Sequence, residues 1–93
     1  MWTDATTYSR DDKKRVQTAW ALKLPSLRIS ITNNHIYNKG VFTMHCHQLG
    51  FDTYNLQIDG SKVEEAKEKA ITLCKMRAMK LFSELDNVNQ PQP

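Results

Sequence analysis

Val41–Cys74, VFTMHCHQLGFDTYNLQIDGSKVEEAKEKAITLC, decides the fold. Val41–His47 alternates, with Phe42, Met44 and Cys46 on one face and Thr43, His45 and His47 on the other. That period of two marks a half-buried strand. Tyr54–Ile58 repeats it, with Tyr54, Leu56 and Ile58 inward and Asn55 and Gln57 outward. Gly60 then interrupts the chain, and Ser61, Lys62, Val63 and Glu64 have the form of a capping box. In such a box the Ser61 hydroxyl accepts the Glu64 backbone N–H, and the Glu64 carboxylate accepts that of Ser61. Two strands feeding one helix define a two-layer α+β unit.

Upstream, Ser26–Thr32 alternates as cleanly: Leu27, Ile29 and Ile31 point in, while Arg28, Ser30 and Thr32 point out. The β-branched isoleucines suit a strand. Asn33–Gly40, NNHIYNKG, carries turn residues at both ends and exceeds a tight turn, so its tip projects. Pro25 closes whatever precedes it, because it lacks an N–H and restricts Leu24. Ser9 followed by Asp11 and Asp12 resembles a helix start. A short helix over Arg10–Trp20 would align Val16, Ala19 and Trp20, although Thr18–Leu24 reads equally well as the beginning of a strand.

Downstream, the helix is expected from Ser61 to about Leu85. On a wheel of 100° per residue, Val63, Ala66, Ala70, Cys74, Ala78, Leu81 and Leu85 form one stripe, with Leu73, Ile71 and Phe82 on its shoulders. Glu64, Glu65 and Glu68 lie early and Lys75, Arg77 and Lys80 late, which complements the helix dipole. Arg77 falls inside the apolar stripe and is expected to snorkel past the sheet edge. Met76 and Met79 fall on the opposite face. The expected architecture is a three-stranded antiparallel sheet followed by one long C-terminal helix (β-β-β-α). Residues 1–20 form a short helix or an extension, residues 21–87 the domain and residues 88–93 a disordered tail.

The 93 residues support a single core. A net charge of +3 and a pI near 9.0 permit nucleic-acid contact without arguing for it, since dedicated binders concentrate their basic residues on one face. Lys13, Lys14 and Arg15 form one basic run, read as a solvated face or else a contact for phosphate or an acidic partner. Cys46 and Cys74 fall on facing apolar layers. Such layers pack ~10 Å apart, too far for a disulfide. Two reduced core thiols and a cytoplasmic protein are the expectation. No segment reads as a signal peptide or membrane span.

Alternation separates Cys46 from His45 and His47, so these three do not make a ligand set, and no nearby acid completes a zinc site. Neither a P-loop nor a GxGxxG run is present. The chain therefore reads as non-enzymatic, without cofactor or metal. Arg28, Ser30, Thr32, Thr43, His45, His47, Asn55 and Gln57 make the outward sheet face polar and nearly uncharged. One helix covers only one face, so this surface is a candidate for partner contact. Ile36 and Tyr37 at the loop tip, and the basic helix end Lys75, Arg77 and Lys80, complete the candidate set. Exposed sheet edges or the open face could also join a second copy.

With this element order, the chain resembles the small HicB-type antitoxin domain, an incomplete RNase H-like fold, over roughly Leu27 to Leu81. Cys46, His47, Gln48, Leu49 and Gly50 stand where that family often has a Pro-x-Leu-Gly link. Gly60 through Ala66 stand where it has a Gly-Asp-Thr-x-Glu-Glu-Ala helix start. The Gly and the Glu-Glu-Ala match; His47 replaces the Pro and Lys62 the Thr, with Ser61 taking over the cap. The resemblance implies a domain that binds and masks a small RNA-cleaving toxin, often with a DNA-binding segment after the helix. Only eight residues follow Leu85, which points to a stand-alone inhibitor or adaptor. Small phage-encoded inhibitors of host defence nucleases, anti-CRISPR proteins among them, are similar in type. A double-stranded RNA-binding domain is the competing resemblance, through helix–three strands–helix order and Gly60, Ser61, Lys62, Ala66 and Lys67. Glu64 and Glu65 occupy its phosphate-gripping position and would repel phosphate. The expected partner is thus a nuclease or nucleoprotein complex, with directly bound nucleic acid as the alternative.

Overall fold

A computed structural model describes residues 1–7 and 16–88 of the chain. The expected Ser9 helix start, the basic run at residues 13–15 and residues 89–93 of the tail lie outside the described residues. Strands β1 (Trp2–Asp4), β2 (Ala19–Lys23), β3 (Arg28–Thr32), β4 (Val41–Cys46) and β5 (Phe51–Asp59) precede one helix, α1 (Val63–Val88). A short 3-10 turn, His47–Leu49, links β4 to β5.

The α+β class and the long helix after an antiparallel sheet are as expected, but the sheet has five strands rather than three. They lie in chain order, each antiparallel to the next. Of the two additional strands, β1 lies in the expected N-terminal extension, and β2 takes the strand reading of Thr18–Leu24 rather than the helical one. Ala19 and Trp20 belong to β2, which pairs with β3 through Trp20–Ile31 and Leu22–Ile29. Trp20 and Leu22 alternate with Ala19 and Ala21, and alanines on the face away from α1, Ala21 fully buried there, disguise the period of two as an apolar run. At three residues, β1 is too short to show any period. Leu24 donates to the Leu27 carbonyl at 2.8 Å across Pro25, closing the β2–β3 hairpin.

Cross-strand pairing aligns Trp20, Ile31, Met44 and Tyr54 on one face, with Leu22 beside Ile29 and Cys46 beside Phe51. Against this face α1 lays Ala66, Ala70 and Cys74, all buried. Alanines at the contact let the helix approach large sheet residues such as Phe42 and Met44, whose volume then fills the layer. Trp20 tilts onto Phe42 at 5.8 Å between ring centroids.

β5 is longer than the expected Tyr54–Ile58 and carries two irregularities, with Thr53 and Gln57 at positive φ. Each extra residue bends the strand. The Gln57 N–H donates to Asn55 Oδ1 at 2.7 Å, and Lys69 Nζ donates to the Leu56 carbonyl at 2.6 Å. This kinked outer strand resists pairing with another chain, which weakens the case for a dimer through the sheet edge.

The capping box is replaced by a different device. Asp59 Oδ1 accepts both the Ser61 N–H at 2.9 Å and the Ser61 hydroxyl at 2.6 Å, so Ser61 is a donor in a turn. Those two bonds hold the Asp59 carboxyl below the usual carboxylate range. Lys62 then supplies the first helical acceptor, to Ala66 N at 3.1 Å. Gly60 passes so close to the β3–β4 loop that a Cβ there would lie 3.1 Å from the Gly40 oxygen.

Cys46 and Cys74 are buried free thiols. Burial, followed by the neighbouring Cys46, pushes the Cys74 thiol up to about 12. An unfolded thiol titrates near 9.0, so the folded state holds its proton where the unfolded state loses it. The stability contributed by this group is complete below pH 9.0 and is lost as pH rises through about 12. Cys74 should therefore resist iodoacetamide at pH 8 in the folded chain and react on denaturation. Modification at equal rates in both states would contradict the packing.

Candidate functional site

β3 and β4 build the face turned away from α1. Ser30 stands opposite His45, and Thr32 opposite Thr43, which in turn faces Asn55. Lys23 stands opposite Arg28, so two cations sit side by side at the β2–β3 corner. The Arg28 N–H donates to Gln48 Oε1 at 3.2 Å, tying that corner to the 3-10 turn.

Two adjoining clefts centre on the histidines. One, of about 320 Å³, is lined by His45, His47, Gly50, Phe51 and Asp52; the other, of about 260 Å³, by Arg28, Ser30, His45, His47 and Gln48. His45 is the wall they share with His47, although His47 belongs to the turn and not to the strand. His45 Nδ1 lies 3.4 Å from Asp52 Oδ1. Asp52 and Gln48 are the two residues that strand patterning misses. Gly50 at φ 77 turns the chain back immediately, and the β5 irregularity then sets Asp52 beside His45. Among the described residues, no three His, Cys, Asp or Glu side chains gather closely enough to hold a metal ion.

The β3–β4 loop joins this surface at its rim. The His35 ring lies 5.8 Å from Tyr37 and 6.3 Å from His45. The Tyr37 N–H donates to His35 Nδ1 at 3.3 Å, which fixes the turn. Ile36 and Tyr37 are exposed at 73% and 83%, so the tip presents two large side chains on a short rigid base.

Other members of the expected set are placed differently. Thr43 is fully buried between Thr32 and Asn55, out of a partner's reach, and its hydroxyl has no partner among the described residues. Asn55 and Gln57 are exposed, on the irregular stretch of β5. Lys75, Arg77 and Lys80 belong to α1, on the opposite side of the sheet. Arg77 donates from Nη1 to the Leu49 carbonyl at 3.2 Å, and its guanidinium lies over the Phe51 ring at 4.7 Å. It ties α1 to the turn beneath the histidine clefts.

Thr43→Val should raise stability by about 1 kcal/mol. It removes a buried hydroxyl that has lost its water and gained no bond, and it suits a strand. Urea denaturation checks the sign; a loss of 1 kcal/mol or more would mean that the hydroxyl is bonded.

No protein-family model matches the chain, and no curated protein or solved structure matches it. No helix among the described residues is long and apolar enough to cross a membrane.

Proposed function

We propose that the chain is a non-enzymatic protein-binding module that inhibits or masks a nuclease-type partner, in the manner of HicB-type antitoxins or small phage anti-defence inhibitors. The observation that carries this reading is the open sheet face. Its histidine clefts, its Lys23 and Arg28 corner and its projecting Ile36 and Tyr37 adjoin one another, while the helix covers the other face. Interfaces combine such aromatic and arginine anchors with a polar surround. The cationic corner suits an acidic patch on the partner.

Nucleic acid is the weaker occupant. Of the helix cations, Lys67 bonds Glu64 at 3.2 Å, Lys69 bonds the Leu56 carbonyl and Arg77 bonds the Leu49 carbonyl, which leaves Lys75 and Lys80 alone at the basic end, too few for a concentrated phosphate-binding row. Capture by the tagged chain from source-cell lysate, with and without nuclease, tests the reading. A co-purifying protein that survives digestion supports it; recovery of nucleic acid alone, lost on digestion and at high salt, overturns it.

A further inference from the structure

Helix α1 outruns the sheet it packs on. Its 26 residues span roughly 39 Å, whereas a five-residue strand spans roughly 17 Å. Burial ends at Cys74, and every residue from Ala78 to Val88 is exposed. The apolar stripe does not end with it. Leu81, Phe82, Leu85 and Val88 stay within an arc of about 120° that continues the sheet-facing side. They are 39%, 71%, 66% and 78% exposed. At the foot of this overhang lies an apolar groove of about 210 Å³ between Leu24, Leu27, Ile71, Cys74 and Ala78.

We propose that the overhang pairs antiparallel with the overhang of a second copy of this chain, forming a two-fold dimer. Charge along the helix selects both the partner and the direction. On the 100° wheel, Lys75 and Asp86 flank one side of the arc, and Arg77 and Glu84 the other. In an antiparallel pair about a two-fold axis, like flanks meet. Lys75 then faces Asp86 of the second copy, and Arg77 faces its Glu84, twice over by symmetry. Both pairs require the same register, with the axis between Lys80 and Leu81. That register lays Leu85 and Val88 of each copy at the other's groove, where Ile71 and Ala78 receive them. A parallel pair would instead set each charge against its own kind.

The area is sufficient. The four apolar side chains leave on the order of 500 Å² per chain uncovered, so a two-fold contact with the grooves reaches the ~1,000 Å² that a specific interface clears. Of the flank ions, Lys75, Glu84 and Asp86 make no ion pair among the described residues, whereas Arg77 also holds the Leu49 carbonyl and the Phe51 ring, so the Lys75–Asp86 pair carries most of the charge selection. The dimer leaves the open sheet face of both copies uncovered, so it is independent of the proposed partner binding.

Sedimentation velocity of the full chain, from low micromolar to several hundred micromolar, tests this. A concentration-dependent monomer–dimer equilibrium is expected. Phe82→Asp and Leu85→Asp should each weaken it at least tenfold with the circular-dichroism melt unchanged, since both sites are exposed in the monomer. Asp86→Lys should weaken it several-fold, and Lys75→Glu added to Asp86→Lys should restore it. A monomer at every concentration, or a dimer indifferent to Phe82→Asp, overturns the proposal; failure of the double exchange to restore pairing overturns its register.

Discussion

Phe42→Ala should lower the unfolding free energy by about 3–5 kcal/mol, the cost of removing a buried aromatic ring together with the cavity left behind. Phe42 is fully buried at the centre of the sheet, among Ile31, Met44, Leu56, Ala66 and Ala70. Its neighbours cannot easily collapse into the space. The facing helix residues are already alanines, and Trp20 is held by the β2–β3 pairing. A domain of this size commonly holds about 5–15 kcal/mol in total, so the variant would stand near the edge of folding. Its Tm should fall by on the order of 20 °C. Thermal and urea melts followed by circular dichroism measure both quantities. A change under 1 kcal/mol would mean that the helix does not seal this face.

Arg28→Glu and His45→Glu should each weaken partner binding by about tenfold or more, and together by more than either alone. Arg28 shares the cationic corner with Lys23 and stands beside Gln48, while His45 is the wall common to both clefts. Glutamate at position 28 reverses the corner. Glutamate at position 45 sets a carboxylate beside Asp52, which already lies 3.4 Å from the imidazole. That second change also disturbs the surface itself, so the melt of each variant has to be recorded alongside its affinity. Glu68→Lys, on the exposed side of α1, is the control and should bind as the parent chain does.

The parts of the fold legible in the residues are those where alternation is undisturbed. Ile29 and Ile31 in β3, and Phe42, Met44 and Cys46 in β4, announce their inward face directly, and the period of α1 is equally plain. β2 was legible only as one of two readings of Thr18–Leu24, because Ala19 and the buried Ala21 stand where polar residues would have marked the face turned away from the helix. The helix stripe conceals a different fact. Periodicity says which side of α1 is apolar, but the end of the sheet is a property of other strands. Leu81 and Leu85 therefore read as core although they are exposed, at 39% and 66%. For the candidate site, the members on β3 and β4 follow from strand parity, and pairing brings Ser30 to His45. Asp52 does not follow, because its position depends on the Gly50 turn and the positive φ at Thr53. Thr43 has the right parity and the wrong burial: it lies mid-sheet between Thr32 and Asn55 and is fully buried, which parity does not reveal.

The measurement that bears most directly on the open face as a protein-binding surface compares two captures from nuclease-treated lysate. One uses the parent chain and the other the Arg28→Glu/His45→Glu double variant, both shown by their melts to be folded. The parent chain should retain a protein partner through digestion and the double variant should lose it. Equal retention by both would place the interface elsewhere on the molecule, and retention of nucleic acid alone would contradict the protein-binding reading itself.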